Sequence, residues 1–597
     1  MNVNNKLNNL RQKMLENGFD AYLIPITDPH MGEYVPSRWK TINWFSGFTG
    51  SAGTIIVTSS FAGLWTDSRY FLQAEEQLKG SGIELMRLKI PHTPEYIDWL
   101  AENLSSGMRL GYDGEMVSVG LTRMLIEKLI PKNVLVFSNS NLIGEIWKDQ
   151  PSLPNSKIFD HFVEFAGITR AEKIKMIQDD MNKKKVDYHL LSALDDIAWT
   201  FNIRGNDVLY SPLVVSYALI SKDESFLFID KKRLPKSLEE DLNSDNITIH
   251  NYKKIYEILS IIDLTKVIYL SPGSTNTRLY NAISSNCEKM EGISIPTMLK
   301  AIKNEREIAH IRNVMVKDGV ALTKFFYWLE KNVGKEKISE VSLAAKLEDF
   351  RAEQENFVGP SFATIAGYKG HGAIIHYEAT PETDVDLEPS GVFLLDSGGQ
   401  YLDGTTDTTR TISLGHATPE EKRDFTLVLK GTIQLAITEF PEGTKGYQIE
   451  AFARRALWDN GMNYGHGTGH GVGFFLNVHE GPQTIGTGAS GNRDVTLEPG
   501  MLISDEPGLY RKGQYGMRTE NLVLIKESRE TEFGKFRKFE TVTLCYIDKN
   551  LIEANLLSEN EKNWLNEYHR TVYSQISPRL PDDIRNWLKE KTSEIAF

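Results

Sequence analysis

Cysteine is scarce: Cys287 and Cys545 are the only two in 597 residues. Two thiols cannot build a disulfide framework or a thiolate metal cluster, so a reducing compartment is expected. Long apolar runs are missing too. No stretch approaches the roughly 18 unbroken apolar residues of a membrane span, and the most apolar segment, Val214 to Ile220, is short and holds Ser216 and Tyr217. The opening residues, Met1 to Arg11, are too polar for the apolar segment of a secretory signal. A basic excess is also absent. Lys and Arg total 67 against 80 Asp and Glu, a formal charge of −13, which argues against nucleic acid as a partner. The expectation is a cytoplasmic protein with neither membrane nor nucleic-acid partners. Apolar residues make up 41% of the chain, enough for several cores, and the length points to roughly two to four domains.

Two connectors divide the chain. Asp149 to Ser156 carries Pro151 and Pro154 among polar neighbours, and Ile295-Pro296-Thr297 precedes a long run with helical spacing: Ile308, Ile311, Met315, Leu322 and Phe325. The resulting parts are residues 1–153, 154–300 and 301–597. The first two follow one plan. A helix-like stretch (Leu7 to Asn17; Arg170 to Lys185) leads to an apolar strand (Ala21 to Pro25; Tyr188 to Leu191), and later to a strand pair ending at Asp67 or Asp230. Two related α/β domains are expected. The third part echoes itself, each half running helix, helix, strand pair. Thr418-Pro419-Glu420-Glu421 supplies a cap, a first-turn proline and acidic residues for one of these helices.

The strand pairs carry the chemistry. The apolar strand Gly391 to Leu395 ends in Asp396, and its return strand carries Asp407; Met501 to Ser504 leads to Asp505-Glu506, and its return strand carries Glu520. Carboxylates at the ends of apolar strands face a large desolvation penalty unless neutralised. Four together would repel one another strongly, and a pair of divalent cations relieves this better than one or two arginines. The alternative is a separate salt bridge for each acid, with Arg410, Arg511 or Arg518. Histidine usage favours a site: His371, His376, His416, His466, His470 and His479 are six of the 13 histidines and lie within about a fifth of the chain. The glycines of His466-Gly467-Thr468-Gly469-His470-Gly471-Val472-Gly473 exclude a stable helical histidine pair and permit close backbone approach. The segment lacks the lysine and spacing of a phosphate loop, and His479-Glu480 lacks the second histidine of a zinc-protease helix. No nucleophile elbow lies near the histidines, and Cys287 is remote from them. Oxygen ligands with one imidazole fit Mn²⁺, Co²⁺ or Zn²⁺, and two such ions together make hydrolase machinery.

Five blocks bear a resemblance: Leu395-Asp396-Ser397-Gly398, Thr406-Asp407-Thr408-Thr409-Arg410, His466 to Gly473, Ser504-Asp505-Glu506-Pro507-Gly508 and Arg518-Thr519-Glu520-Asn521. Their order resembles the metallopeptidase family with the pita-bread fold, and in particular the three-domain Xaa-Pro aminopeptidases. The likeness extends to Ser46 to Gly53 and Trp65 to Ala74 in the first domain and to the tail beyond Tyr546. It implies two creatinase-N-like domains, a pita-bread catalytic domain with an internal pseudo-two-fold repeat, and a carboxy-terminal extension from about residue 547. By this resemblance Asp396 chelates one metal, Asp407 and Glu520 bridge both, and His470 and Glu506 complete the other. The cofactor is then a pair of divalent ions, Mn²⁺ first, with Zn²⁺ or Co²⁺ as alternatives.

The same resemblance places His376 and His479 near the substrate carbonyl and His466 near a proline pocket. It makes Glu506 a proton shuttle and Arg69 a substrate contact. The implied reaction is hydrolysis, by a metal-bridging hydroxide, of the bond between any first residue and a proline in second position. The partners are proline-containing peptides and a second copy of the chain. A proline dipeptidase and a non-catalytic peptide-binding module are the rival readings. The tail from Leu551 is expected against the catalytic domain or a neighbouring subunit.

Overall fold

The computed structural model describes residues 2–90, 93–487 and 494–595. The chain divides into two compact units, residues 1–161 with 168–296, and residues 162–167 with 297–597.

The first unit holds two six-stranded sheets of one design. Taking the strands of each in chain order, both sheets are arranged 4-3-2-1-5-6. In both, strand 2 runs antiparallel to strands 1 and 3, and the remaining neighbours are parallel. The first strands, Ala21–Pro25 and Tyr188–Leu191, match the sequence expectation residue for residue. Ala21–Pro25 is an apolar run, and Tyr188–Leu191 is apolar but for the buried His189, the pattern of strands covered on both faces. The helix Val3–Asn17 starts at Asn2, whose side chain accepts from the Asn5 amide, and stops at Gly18 in the left-handed region. Its buried Leu7, Leu10 and Met14 recur at helical spacing and cover one sheet face with Tyr22 and Ile24. Leu100, Leu125 and Leu129 cover the other with Leu23 and Ile56. A fully buried side chain of this size contributes roughly 1.5–3 kcal/mol. The two domains join through backbone and side-chain bonds: Val119 N–H to the Thr275 carbonyl (3.0 Å), and the Asn276 amide to the Pro29 carbonyl (2.8 Å).

The second unit repeats helix, helix, strand pair. Glu305–Asn332 and Glu340–Ala352 precede the paired strands Val392–Ser397 and Thr408–Ser413; Pro419–Ala436 and Gly446–Trp458 precede Leu502–Asp505 and Asn521–Thr531. The cap read at Thr418 is a full capping box with Glu421, and Pro419 opens the helix. Each strand pair is interrupted by a smaller one: Gly399–Tyr401 with Gly404–Thr405, and Gly508–Arg511 with Tyr515–Arg518. The tail helices Glu559–Ile576 and Asp582–Lys591 sink Leu565, Val572, Ile576 and Leu588 into the core that holds Leu395 and Phe425. The extension therefore packs on the catalytic domain. Among the described residues no helix is long and apolar enough to cross a membrane.

Candidate metal centre

Register brings the acids together. Asp396, the fifth residue of its strand, lies opposite Thr409, so Asp407 sits one residue ahead of the return strand. Asp505 pairs with Asn521, which leaves Glu506 and Glu520 just beyond their strand ends. Both acids expected on return strands thus stand immediately before them, where chain direction changes and a side chain can turn inward. In the larger sheet, Glu480–Ile485, Gly469–Gly471, Leu502–Asp505 and Asn521–Thr531 are successive neighbours. His479, His470, Glu506 and Glu520 consequently come from four adjacent strands or their ends. The Glu520 amide donates to the Thr409 carbonyl (3.1 Å), tying the two sheets at the site.

The glycine-rich segment runs as extended chain, not helix, and its His470 lies on the short strand Gly469–Gly471. A Cβ at Gly469 would stand 1.9 Å from the Ser504 carbonyl oxygen. Only glycine lets the strand approach closely enough for His470 to face the acids. His470 Nδ1–H donates to the Gly471 carbonyl (2.8 Å). Nε2 is thereby directed at Asp407 Oδ2 (3.4 Å) and Glu506 Oε1 (3.6 Å). Such backbone orientation of the second nitrogen is the habit of metal-binding histidines.

Donor atoms of Asp407, His470 and Glu520 all lie within 4.8 Å of one another. Two ligands each ~2.1 Å from a shared ion stand about 3.0–3.4 Å apart, close to the spacing of His470 and Asp407. Asp396 Oδ1 is buried without a hydrogen-bond partner, the state of a ligand atom waiting for a cation. The electrostatics agree. Burial, reinforced by Asp407, raises Asp396 against the pull of Arg518. Burial and the neighbouring acids raise Glu520 well above the usual range, and burial pushes Glu506 to about 7 despite His470 and Arg518. Burial lowers His470, but Asp407 and Glu506 outweigh it and bring it to about 9. Among the described residues Arg518 is the arginine paired with one of these four carboxylates, through Asp396, so the residues fit a pair of divalent ions.

Arg518 is nearly inaccessible and organises the site. It donates to Asp396 Oδ2 (2.6 Å), to Thr409 Oγ1 (3.1 Å) and to the Tyr510 hydroxyl (2.6 Å). Thr409 in turn donates to Glu520 (2.7 Å). Tyr510 lies 2.8 Å from His466 Nε2, and His466 Nδ1 lies 2.8 Å from the Gly467 carbonyl. The carbonyl requires the proton on Nδ1, so in neutral His466 the Nε2 accepts from Tyr510. Of the separate salt bridges considered from sequence, only that of Arg518 with Asp396 reaches one of the four acids. Arg511 pairs with Asp424, and Arg410 binds the Glu520, Tyr546 and Cys545 carbonyls, Asn521 and Tyr568.

The structure therefore groups Asp396, Asp407, His470, Glu506 and Glu520, with His479 edge-on to His470 at 4.3 Å between ring centroids and His466 attached through Tyr510. His376 lies on the loop after the Ile365–Tyr368 strand, whose Ile365 pairs with Asp396. Arg69 belongs to the first unit, where Asp67 holds its guanidinium (2.7 Å). A cavity of about 500 Å³ in the first unit, lined by Tyr22, Trp39 and Asp113 among others, includes none of these residues. Sequence reasoning missed Tyr510 and Thr409. Tyr510 stands four residues after Glu506, but nothing local marks its hydroxyl as a link between Arg518 and His466.

Comparison with known proteins identifies the group. The model of metallopeptidase family M24 matches residues 309–527, and that of the C-terminal region of peptidase M24 matches residues 535–595. Creatinase/prolidase N-terminal domain models match residues 6–145 and 149–307. The probable Xaa-Pro aminopeptidase P of Laccaria bicolor is 40% identical over all of this chain and 94% of its own length. That of Paracoccidioides brasiliensis is 38% identical over the whole of both chains. The solved structure of the X-prolyl aminopeptidase from Caenorhabditis elegans, described as a cytosolic enzyme with a di-nuclear active site, superposes over the whole of both chains with a TM-score of 0.95 at 34% identity. The chain belongs to metallopeptidase family M24, in the branch of the Xaa-Pro aminopeptidases that carry two creatinase/prolidase-type domains ahead of the catalytic one.

Proposed function

We propose that the chain is a metalloaminopeptidase that removes the first residue of a peptide whose second residue is proline. The observation that carries this is the convergence of Asp396, Asp407, His470, Glu506 and Glu520 in one cluster with more negative charge than Arg518 neutralises. The names of the full-length relatives support the substrate class.

Asp396, with Asp407 and Glu520, would hold one divalent ion; Asp407 and Glu520, with His470 and Glu506, would hold the other. Mn²⁺ is the first candidate for this oxygen-rich set, with Zn²⁺ or Co²⁺ as alternatives. Bound there, the pair supplies Lewis acidity for the scissile carbonyl and a water acidified toward neutral pH. The chain's own groups do the rest. Glu506, less enclosed than its neighbours, is the candidate proton carrier between water and leaving amine. His479, beside His470, would donate to negative charge developing on the carbonyl oxygen, and His376 would share that task from its loop. His466 has both ring nitrogens engaged, so its contribution is shape on the proline side. An X-Pro bond has no N–H, so recognition must rest on shape. Cytoplasmic location and a homodimer complete the proposal.

The test is elemental analysis of the purified protein together with hydrolysis of Arg-Pro-Pro and Ala-Pro. Two metals per chain and release of arginine from Arg-Pro-Pro are expected. Preference for Ala-Pro would make the chain a proline dipeptidase, and bound metal with no turnover of either would make it a peptide-binding module.

A further inference from the structure

Glu340 is a fully buried carboxylate in the second unit, outside the metal cluster, and among the described residues the hydrogen bonds its carboxylate accepts come from one stretch of chain, residues 368–377. Oε1 takes the Tyr368 amide (2.8 Å), and Oε2 takes the His371 Nδ1–H (2.9 Å) and the Tyr377 hydroxyl (2.7 Å). Tyr368 closes the strand Ile365–Tyr368, and His371 and Tyr377 lie in the segment that leads from it to the strand Val392–Ser397. His376 lies between the last two.

The exit of the loop is fastened to the same place. The Val341 amide donates to Asp384 Oδ1 (3.0 Å), the Glu340 amide to the Val385 carbonyl (3.2 Å), and the Leu387 amide to the Ile338 carbonyl (2.7 Å). Glu340 is the first residue of the 13-residue helix Glu340–Ala352, capped by Ser339. The positive end of that helix favours an acidic residue in its first turn. The loop also touches the strand that carries Arg518: a Cβ at Gly516 would fall 1.7 Å from the Gly372 carbonyl oxygen. A segment with little regular structure of its own would otherwise sample many conformations.

We infer that Glu340 is a positioning residue for His376, fixing the loop on both sides of that histidine so that its imidazole is held ready for the substrate. The donors leave little choice of partner: with His371, Tyr368 and Tyr377 all directed at one carboxylate, the backbone at residue 376 is held from both directions. The inference rests on the role proposed for His376.

The experiment is a double-mutant cycle on the metal-loaded full chain, with Arg-Pro-Pro as substrate and metal content and far-UV circular dichroism recorded for each variant. His376→Ala is expected to lower kcat. Glu340→Gln keeps the shape but loses the charge, and it is expected to lower kcat by about 10–100-fold, the range found when a supporting shell is removed, with two metals retained and KM little changed. The double variant should be no slower than His376→Ala alone, because a misplaced group and a missing one are equally idle. A merely structural role would instead multiply the two losses. If Glu340→Gln does not fold, Tyr377→Phe removes the bond nearest His376 and should show the same non-additivity on a smaller scale. Unchanged kcat in the Glu340 and Tyr377 variants, or multiplicative losses in the cycle, would overturn the inference while Arg-Pro-Pro hydrolysis by the wild type stands. An inactive wild type would overturn the proposed function itself, and normal kcat in His376→Ala would overturn the role of His376 and this inference with it.

Discussion

At the scale of single residues, the centre is a problem in charge. Asp396, Asp407, Glu506 and Glu520 are withdrawn from water beside Arg518, and burial together with neighbouring acids raises Asp396, Glu506 and Glu520 above the usual carboxylate range. Glu520 is raised by burial and by Asp407, Asp396 and Glu506 and is fixed by Thr409. Glu520→Ala is expected to lose metal and at least a hundredfold in kcat/KM while keeping its circular dichroism; full activity with full metal content would remove Glu520 from the ligand set. Arg518 answers a different question. Breaking a buried ion pair by removing one partner destabilises by roughly 3–5 kcal/mol, so Arg518→Met should unfold at lower urea when the metals are chelated. With metals bound, the cations take over the neutralisation of Asp396, and the deficit should shrink. An equal deficit in both states would mean that Arg518 serves packing and not charge.

At the scale of elements, position follows from how closely backbones can approach. Adding a methyl at Gly469 would meet the Ser504 carbonyl at 1.9 Å, whereas at Gly467 the nearest atom is 3.8 Å away. Gly469→Ala should therefore push the His470 strand out of the sheet, lower the thermal midpoint by several degrees and weaken metal retention; Gly467→Ala should leave the midpoint within about a degree of wild type. Equal behaviour of the two variants would mean that glycine is not needed for approach. The elements differ in how readable they were. Ala21–Pro25 announces itself, because a strand buried on both faces needs an unbroken apolar run, and Tyr188–Leu191 follows by its matching place in the second domain. Acids at the ends of such runs were legible for the same reason. The ribbons Gly508–Arg511 and Tyr515–Arg518 have no such signature: they are short, and polar and glycine residues interrupt them. What ties the site together was less visible still. Arg518 meets Asp396 across 122 residues and Thr409 meets Glu520 across 111, and Glu340 reads as an ordinary first-turn helix acid. Hydrogen bonds of that span leave no local periodicity.

At the scale of the whole catalytic unit, the carboxy-terminal extension is part of the core, and a buried histidine contributes to its attachment. His569, on the helix Glu559–Ile576, is inaccessible to solvent and accepts the Ile547 amide on Nε2 (3.1 Å). Burial, with Lys549 and Arg410 nearby, lowers its folded pKa to about 3, against about 6.5 in an unfolded chain. A histidine with a depressed folded pKa takes up its proton more readily when unfolded, so its contribution to stability is present above pH 6.5 and is lost as pH falls from there toward 3. Protonation would also put a hydrogen on the nitrogen that Ile547 needs. Between pH 7 and pH 4.5 the loss from this one group amounts to about 2–3 kcal/mol. His569→Gln retains an acceptor for the Ile547 amide but cannot titrate. The wild type should therefore lose stability relative to the variant across that interval, while above pH 7 the difference between them stays constant. Urea unfolding followed by tryptophan fluorescence, with Trp564 and Trp587 in the same extension, measures the difference directly. A gap that did not change with pH would show that protonation of His569 is not what loosens the extension in acid.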